Sequence, residues 1–416
     1  MVVKAGSPEP NCLPHPIETV ENPAGRLYPP RCATWERGRL ALVSMWRARR
    51  PPSQILYLKI LPCALSEAST PMQTPKALGY RMPPEWAPHQ ATWLSWPHKE
   101  ESWPGRLATI LPIYARAVAA LARSEPVHIN VTDAAMAAEA RALLTAADCQ
   151  GEVAFHHFPT NDAWCRDHGA IFVTRDDQPH LAAIDWDYNA WGGKYAPFDL
   201  DDEIPRQMAA YLDTPCFPGG MVLEGGSVDV DGRGLLLTTE QCLLHPNRNP
   251  HLSKAEIETR LCDFLGAEKV LWLSEGIVGD DTDGHIDAIA RFVAPGTVVA
   301  AVEEDPQDEN YHVLQENLRR LQFMTDLAGH PLNLLTLPMP PPVMYAGQRL
   351  PASYANWYVA NTVILLPTFG GPSDERAAEV LRRCYPDRQI IGIDCTEVVW
   401  GLGAWHCLTQ QVPAGG

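Results

Sequence analysis

The sequence lacks several patterns, and each absence argues against a class of protein. Its eleven cysteines form no CxxC pair and no close, regular spacing, which argues against a small disulfide scaffold and a structural zinc site. The longest apolar run near the start, residues 55–65, contains Lys59 and Pro62 and is too short to span a bilayer. No basic patch is evident in the body of the chain, which weighs against a nucleic-acid partner. A reducing compartment, the cytoplasm, is the simplest expectation.

The chain does contain enough apolar material for a sizeable core. Hydrophobic residues make up 46% of its 416 residues, a length that suits one large domain or two ordinary ones. The formal net charge is −17 at pH 7. An acidic surface of this kind favours a small cationic ligand, although in most acidic proteins the charge serves solubility. Charge alone therefore does not choose a function.

The first 71 residues differ in character from the rest. Prolines are frequent there, the periodicity is weak, and basic residues cluster within 37–50. We interpret residues 1–71 as a disordered N-terminal extension and residues 72–416 as one catalytic domain. The composition shift also motivates the hypothesis that translation starts at Met72, which peptides from residues 1–71 in the native protein would refute.

Beyond residue 72, short β-rich segments alternate with amphipathic helical segments. The expected strands cover residues 127–132, 170–174, 234–239, 297–302, 362–367 and 389–394, and the expected helices cover 106–123, 133–147, 253–265 and 373–384. The alternation predicts an α/β fold. The recurrence of strand-bearing units favours a pseudo-symmetric arrangement, although no strict sequence repeat is visible.

Cys407 is the first candidate for chemistry. It follows a turn that contains Gly401 and Gly403, and glycines let the backbone approach a ligand closely. A partly exposed thiol beside donors or cations ionises to the nucleophilic thiolate, whereas most single cysteines are buried and inert, so both interpretations stay open. A dinucleotide loop is excluded because His406 occupies the third glycine position and the chain ends too soon.

The second candidate is the acidic segment 279–287, which contains His285 and Asp287. If residues 284–290 are extended, both side chains point to the same side and can divide proton transfer and cation binding between them. The acids also resemble part of a calcium loop, but the terminal Glu of that pattern is missing. An acidic turn leading into a strand is a third interpretation.

The third candidate, residues 161–169, places polar and aromatic groups just before an expected strand. An Asp there can hold a guanidinium through paired hydrogen bonds, and Trp164 offers a face for a cation. The alternative is structural: Arg166 pairs with Asp162 or Asp167, and Trp164 lies in the core.

A fourth segment, residues 223–234, predicts two strands joined by an Asp-Gly turn. Glu224 beside paired glycines can reach a site, whereas Asp229 and Asp231 belong to the turn and are poor metal ligands. The histidines at 156, 157 and 245 lack partners at ligand spacing, so the sequence predicts no metal site.

Taken together, these segments resemble the agmatine deiminase family, also called the bacterial-type peptidylarginine deiminase family. The resemblance extends from about Met82 to Gln411 and leaves residues 1–71 outside. It rests on motifs in family order at 82–86 (MPPEW), 93–97 (WLSWP), 161–169 (NDAWCRDHG), 189–193 (NAWGG), 224–227 (EGGS), 284–287 (GHID), 353–358 (SYANWY) and 406–407 (HC).

The resemblance implies the pentein fold, an α/β propeller of five pseudo-symmetric blades around a central site. It implies catalytic roles for Cys407 as nucleophile, His285 as general acid and base, and Asp167 and Asp287 as the carboxylates that hold the guanidinium. It also implies that Trp164 and Asp281 line the substrate pocket and that Glu224 supports His285. No metal or organic cofactor is expected.

The implied reaction is hydrolysis of agmatine to N-carbamoylputrescine and ammonia through an amidino-cysteine intermediate, a step towards putrescine. The expected partner is a small cationic guanidino substrate, and a homo-oligomer is compatible with the sequence. Alternatives are deimination of arginine, peptidyl arginine or another guanidino compound, amidino transfer to an amine, and polyamine binding without catalysis.

Two departures from the family pattern bear on the choice of substrate. Residues 401–405 read GLGAW where many relatives have a glycine run, and residues 168–170 read HGA where Thr-Gly-Pro is familiar. The catalytic residue types are retained, but Trp405 beside the nucleophile is expected to narrow or reshape the pocket.

Overall fold

The computed structural model describes residues 73–415, which form a mixed α/β fold. The extension expected for residues 1–71 and the start hypothesised at Met72 lie outside the described residues. The strands are β1 (His89–Ser95), β2 (Val127–Asn130), β3 (Val153–His156), β4 (Ile171–Thr174), β5 (Leu181–Asp187), β6 (Cys216–Val222), β7 (Asp229–Val230), β8 (Leu235–Thr239), β9 (Lys269–Leu273), β10 (Ala290–Ala294), β11 (Thr297–Val302), β12 (Asn333–Pro338), β13 (Met344–Tyr345), β14 (Gln348–Arg349), β15 (Tyr358–Val359), β16 (Val363–Thr368), β17 (Gln389–Asp394) and β18 (Thr409–Pro413).

Helices lie between several of the consecutive strands. They are α1 (Leu107–Ala122), α2 (Ala134–Ala146), α3 (Cys165–His168), α4 (Ala190–Gly193), α5 (Ile204–Tyr211), α6 (Glu240–Leu243), α7 (Lys254–Leu265), α8 (Tyr311–Phe323), α9 (Ser373–Cys384) and α10 (Trp405–Leu408), with 3₁₀ turns at Lys76–Leu78, Asp201–Glu203, Gly225–Ser227, Ile286–Ala288 and Val398–Gly401. All six predicted strands and all four predicted helices are confirmed to within two residues at each end.

Local sequence explains where the longer helices begin and end. The Asp133 side chain accepts hydrogen bonds from the first free backbone N–H groups of α2. Ser253 and Glu256 cap α7 reciprocally, and Gly266 ends it in the left-handed conformation with φ +72°. These caps agree with the helices predicted from periodicity.

Five of the sheets within residues 73–415 share one plan. In each, a central strand pairs antiparallel with one neighbour and parallel with the other. The strand orders are β4-β5-β6, β7-β8-β9, β10-β11-β12, β15-β16-β17 and β18-β1-β2-β3, and β13-β14 is a separate hairpin. The parallel pairs require crossovers, which helices such as α1, α2 and α9 provide. Pairing of β18 with β1 brings the C-terminal segment back beside the first described strand.

The largest hydrophobic cluster lies against the C-terminal turn. It includes Trp103, Trp164, Trp405 and Cys407. Trp405 is only 1% exposed, so its ring is part of the core. Among the residues described, no helix combines the length and apolar character that crossing a membrane requires.

Candidate active site

The site is built from segments that precede equivalent strands of the five sheets. These strands, β4, β7, β10, β15 and β18, each pair antiparallel with the central strand of their sheet. The residues just before them include, in the same order, Asp167, Glu224, Asp287, Asn356 and Cys407. The fold therefore brings together side chains that lie far apart in the sequence.

Of the interpretations considered for segment 279–287, the structure agrees with a turn that leads into a strand. Residues 284–290 are not extended: Ile286–Ala288 forms a 3₁₀ turn, and β10 begins only at Ala290. Local hydrogen bonds precede this turn, because the side chains of Asp280 and Thr282 accept from the His285 backbone N–H. His285 and Asp287 nevertheless face the same group of side chains, as the distances below show.

Cys407 belongs to the largest hydrophobic cluster, but its thiol contacts polar side chains. Its thiol donates to Asp287 Oδ2 at 3.4 Å and accepts from Asn356 Nδ2 at 3.1 Å. Burial, followed by the negative charges of Asp287 and Asp167, raises the pKa of the Cys407 thiol well above its usual value, and the Asn356 hydrogen bond offsets only part of this. Burial and the two carboxylates therefore favour the protonated form of this thiol.

The two carboxylates predicted to hold a cation have different surroundings. Asp167 accepts from the Gly226 backbone N–H and from Trp191 Nε1, both at 3.0 Å. Burial raises the pKa of Asp167 to about 6, with His285 opposing the shift. Asp287 Oδ2 lies 2.7 Å from His406 Nδ1. Burial would raise the pKa of Asp287, but its hydrogen bond with His406 and the nearby positive charges lower it below the ordinary value.

His285 stands between two acids. Its Nδ1 lies 3.7 Å from Asp167 Oδ1, and its Nε2 lies 3.9 Å from Glu224 Oε2. Burial alone would lower the pKa of His285, but Asp167 first, and then Cys242 and Glu224, raise it well above the ordinary value. These acidic neighbours therefore favour the protonated form of the imidazole.

Gly226 lies close to the side chains of His285, Asp167 and Asp287. A Cβ at this position would lie 2.6 Å from His285 Nδ1, 2.8 Å from Asp167 Oδ1 and 3.2 Å from Asp287 Oδ2. The first two distances are too short for a side chain, so only glycine permits this approach. His285, Asp167 and Asp287 therefore surround one small volume.

Trp164 packs against Gly401 and Gly403, in the turn that precedes Cys407. Its ring stacks on Trp103 at 5.1 Å, and a Cβ on Gly401 or Gly403 would lie 2.7 Å from it. It is only 4% exposed, which agrees with the core position considered as an alternative. The local pairing considered for Arg166 is not observed, because Arg166 donates to Gln411 and Glu85.

Glu224 and Asp281 are placed differently. Glu224 is fully buried, and Arg248 Nε holds its Oε1 at 2.6 Å, which leaves Oε2 facing His285. Asp281 is partly exposed, lies 3.6 Å from Lys194 Nζ, and accepts a hydrogen bond from the Tyr195 hydroxyl. No hydrogen bond or ion pair within residues 73–415 joins Asp281 directly to the four predicted catalytic groups.

The structure adds polar residues to which the sequence assigned no role. Asn356 Oδ1 accepts from the backbone N–H groups of Ala404 and Cys407, while its Nδ2 contacts both Asp287 and the thiol. His406 Nε2 lies 2.7 Å from Glu85 Oε2, so this imidazole joins Asp287 to a second buried carboxylate. All of these residues lie within the motifs quoted above, but spacing alone does not indicate their contacts.

We expect Asn356→Ala to lower kcat/KM for the substrate about 10- to 100-fold, because hydrogen bonds to charged groups contribute about 1.5–3 kcal/mol. The variant loses the bonds that orient both the sulfur and Asp287. Asn317→Ala is a matched control, since Asn317 is also buried but bonds to Ser274 and Glu275. Steady-state kinetics and thermal melting check both variants. Equal kinetic losses in the two would contradict the positioning role.

The chain is similar to known proteins over most of its length. The family model described as Porphyromonas-type peptidyl-arginine deiminase matches residues 81–413. A putative agmatine deiminase from Legionella pneumophila strain Philadelphia 1 is 42% identical over 344 residues, which cover 82% of this chain and 96% of the relative. The agmatine deiminase of Pseudomonas aeruginosa strain LESB58 is 38% identical over 370 residues, covering 83% of this chain and 99% of the relative.

Solved structures agree with the sequence matches. The chain superposes on agmatine deiminase of Enterococcus faecalis with a TM-score of 0.77 at 35% identity, covering 82% of this chain and 98% of that protein. The similarity therefore includes the folded arrangement as well as the motifs.

Proposed function

The chain belongs to the Porphyromonas-type peptidyl-arginine deiminase family, and from this premise we propose that it hydrolyses agmatine to N-carbamoylputrescine and ammonia. Relatives named agmatine deiminase match more than four fifths of the chain. The observation that carries the proposal is the convergence of a thiol, an imidazole and two carboxylates around Gly226 and Cys407. These are the groups that a hydrolase acting on a guanidinium C–N bond needs.

Substrate binding depends on the attraction between the positive guanidinium group and two buried carboxylates. A guanidinium is planar and permanently positive, and it presents paired N–H donors that fit carboxylates. Asp167 and Asp287 supply these acceptors, and Asp287 Oδ1 has no hydrogen-bond partner among the described residues. Both carboxylates are buried, so each hydrogen bond to the cation forms away from bulk water.

The bound cation also activates the nucleophile. Because Asp287 and Asp167 help to raise the thiol pKa, a guanidinium that neutralises them lowers it again. The Cys407 thiol then loses its proton to solvent, and the thiolate adds to the guanidinium carbon and forms a tetrahedral centre. Protonated His285 donates to the departing nitrogen, the C–N bond breaks, and ammonia leaves an amidino group on the sulfur.

The second half of the reaction reverses the role of His285. The imidazole, now neutral, accepts a proton from water as the water oxygen adds to the amidino carbon. Collapse of this second tetrahedral centre breaks the C–S bond and releases the ureido product. Glu224 and Asp167 keep the imidazole oriented through both halves.

We extend the proposal to the architecture. The five sheets with one plan correspond to the five blades of a pentein propeller, in which equivalent strand starts supply the site residues. Residues 72–416 would then form a single catalytic domain.

We further propose that the enzyme acts in the cytoplasm in putrescine biosynthesis, and that it assembles as a homo-oligomer.

Ammonia release from purified protein with agmatine, arginine and an arginine peptide tests the substrate. We expect agmatine to be turned over fastest, and turnover of another substrate without agmatine hydrolysis would reject the proposal. Adding glycine or lysine tests amidino transfer, which would yield an amidino product in place of ammonia. Acid quenching during turnover should leave an amidino mass increment on the peptide that contains Cys407.

We expect kcat/KM for agmatine to fall below about pH 6. The pKa of Asp167 is raised to about 6, so this carboxylate gains a proton and loses its negative charge below that pH, while the substrate guanidinium stays positive. At pH 5 about a tenth of the enzyme would keep Asp167 ionised. Asp167→Asn should lack this acidic limb. An identical limb in the variant and the parent, with folding at pH 5 verified by circular dichroism, would refute the assignment.

A further inference from the structure

A second cysteine, Cys242, lies beside His285. Ligand atoms of Glu224, Cys242 and His285 all lie within 4.8 Å of one another, and all three residues are buried. Cys242 is on α6, Glu224 precedes β7, and His285 precedes β10. Because these residues belong to separate segments, no spacing in the sequence indicates the cluster.

Hydrogen bonds fix one oxygen of Glu224 and the backbone segments that carry Cys242 and His285. Thr239 Oγ1 accepts from the Cys242 backbone N–H at 3.2 Å and donates to the Gly284 carbonyl at 2.6 Å, which ties α6 to the residue before His285. Arg248 Nε holds Glu224 Oε1 at 2.6 Å. The donors are therefore preorganised around a common point.

Some polar atoms of this cluster have no hydrogen-bond partner among the described residues. They are Glu224 Oε2 and both ring nitrogens of His285. Buried polar atoms without partners are costly, and in folded proteins such atoms are frequently satisfied by a ligand or an ion. Glu224 Oε2 and His285 Nε2 lie 3.9 Å apart.

We propose that Glu224, Cys242 and His285 form an inhibitory binding site for a borderline-soft divalent cation, with zinc as the best match. Thiolate, imidazole and carboxylate are the donors that zinc prefers, and three protein ligands leave the fourth position to water. Ligand atoms around one tetrahedral zinc lie roughly 3.3–3.8 Å apart, given bonds of about 2.0–2.3 Å. Side-chain movements of about an ångström would close the cluster around the ion.

Charge supports this choice of ligand. Once deprotonated, Cys242 contributes one negative charge and Glu224 another, which together balance a divalent cation. Arg248 also pairs with Asp283 at 2.9 Å, so its positive charge is shared between two carboxylates. Binding releases to solvent the thiol proton of Cys242 and the proton carried by His285.

The consequence for catalysis rests on the proposed function. A metal on His285 prevents this imidazole from donating a proton to the leaving nitrogen or accepting one from water. The ion would also place positive charge beside the carboxylates that hold the guanidinium. Bound zinc therefore blocks turnover, and a chelator restores it.

Metal binding itself is tested without substrate. Cobalt(II) is titrated into the full-length protein, and the thiolate-to-cobalt charge-transfer absorption is recorded, with Cys395→Ser as a control for a buried thiol outside the cluster. We expect the parent, Cys395→Ser and Cys407→Ser to give the same signal, and Cys242→Ser to lose one equivalent of it. An unchanged signal in Cys242→Ser, or its loss in Cys407→Ser, would overturn the site. Circular dichroism verifies folding, and Glu224→Gln, which keeps the thiol, should bind cobalt at least about ten-fold more weakly.

Inhibition is tested separately on agmatine hydrolysis. The zinc concentration that halves the activity should rise at least about ten-fold in Cys242→Ser when each protein is normalised to its own metal-free rate. An equal zinc concentration for the two proteins would show that inhibition arises elsewhere and would overturn the inhibitory role. The cobalt titration needs no substrate, so it tests the metal site even if agmatine is not hydrolysed. A failure of the metal site can therefore be distinguished from a failure of the proposed function.

Discussion

Cys407→Ala is expected to lower the rate of agmatine hydrolysis by at least about 10³-fold while leaving the protein folded. Removing the nucleophile of a covalent mechanism eliminates the intermediate, and the remaining groups then act only through binding and positioning. The buried thiol is small and forms hydrogen bonds with Asp287 and Asn356, so its loss removes little packing. Ammonia release under saturating agmatine measures the effect.

Cys395→Ala provides the matched control, since Cys395 is also a buried thiol but lies in none of the contacts of the site. It should keep the parental rate after correction for any loss of folded protein. The Cys407 variant should still bind agmatine, because Asp167 and Asp287 remain. Normal turnover by Cys407→Ala would instead support the interpretation that the chain binds polyamines without catalysis.

Asp287→Asn should lower kcat/KM for agmatine roughly 10²- to 10³-fold. Breaking a buried ion pair by removing one partner costs about 3–5 kcal/mol, and Asn keeps the shape of the side chain while losing its charge. Asp287 also accepts the thiol hydrogen bond and contacts His406, so the variant changes the position of the sulfur as well. Both kcat and KM are therefore expected to change in steady-state measurements.

Asp231→Asn separates this effect from a general loss of stability. Asp231 is also buried, but its side chain accepts from the backbone N–H groups of Arg233 and Leu235 in the turn before β8. We expect this control to lower the melting temperature while leaving kcat/KM within about three-fold of the parent. If both variants lose activity in proportion to their stability, Asp287 has no special role in binding the guanidinium.

Much of the secondary structure was predictable because local rules decide it. The short β-rich runs at 297–302 and 389–394, and the helical periodicity at 373–384, give the observed elements without a shift. The very short strands, such as Met344–Tyr345 and Gln348–Arg349, carry too few residues for a periodic signal. The 3₁₀ turn at Ile286–Ala288 precedes β10, in agreement with the interpretation of this segment as a turn that leads into a strand.

The sequence by itself determined which residue types are present for guanidine chemistry, because the thiol, the imidazole and the carboxylates occur within recognisable family motifs. It also determined the longer helices and strands, whose periodicity and caps are local. Only the tertiary structure decided that Asn356 and His406 contact Asp287, that Trp405 is buried, and that Cys242 lies beside His285. These contacts join segments from different sheets, and the pKa of each buried group depends on charges that are distant along the chain and close in space.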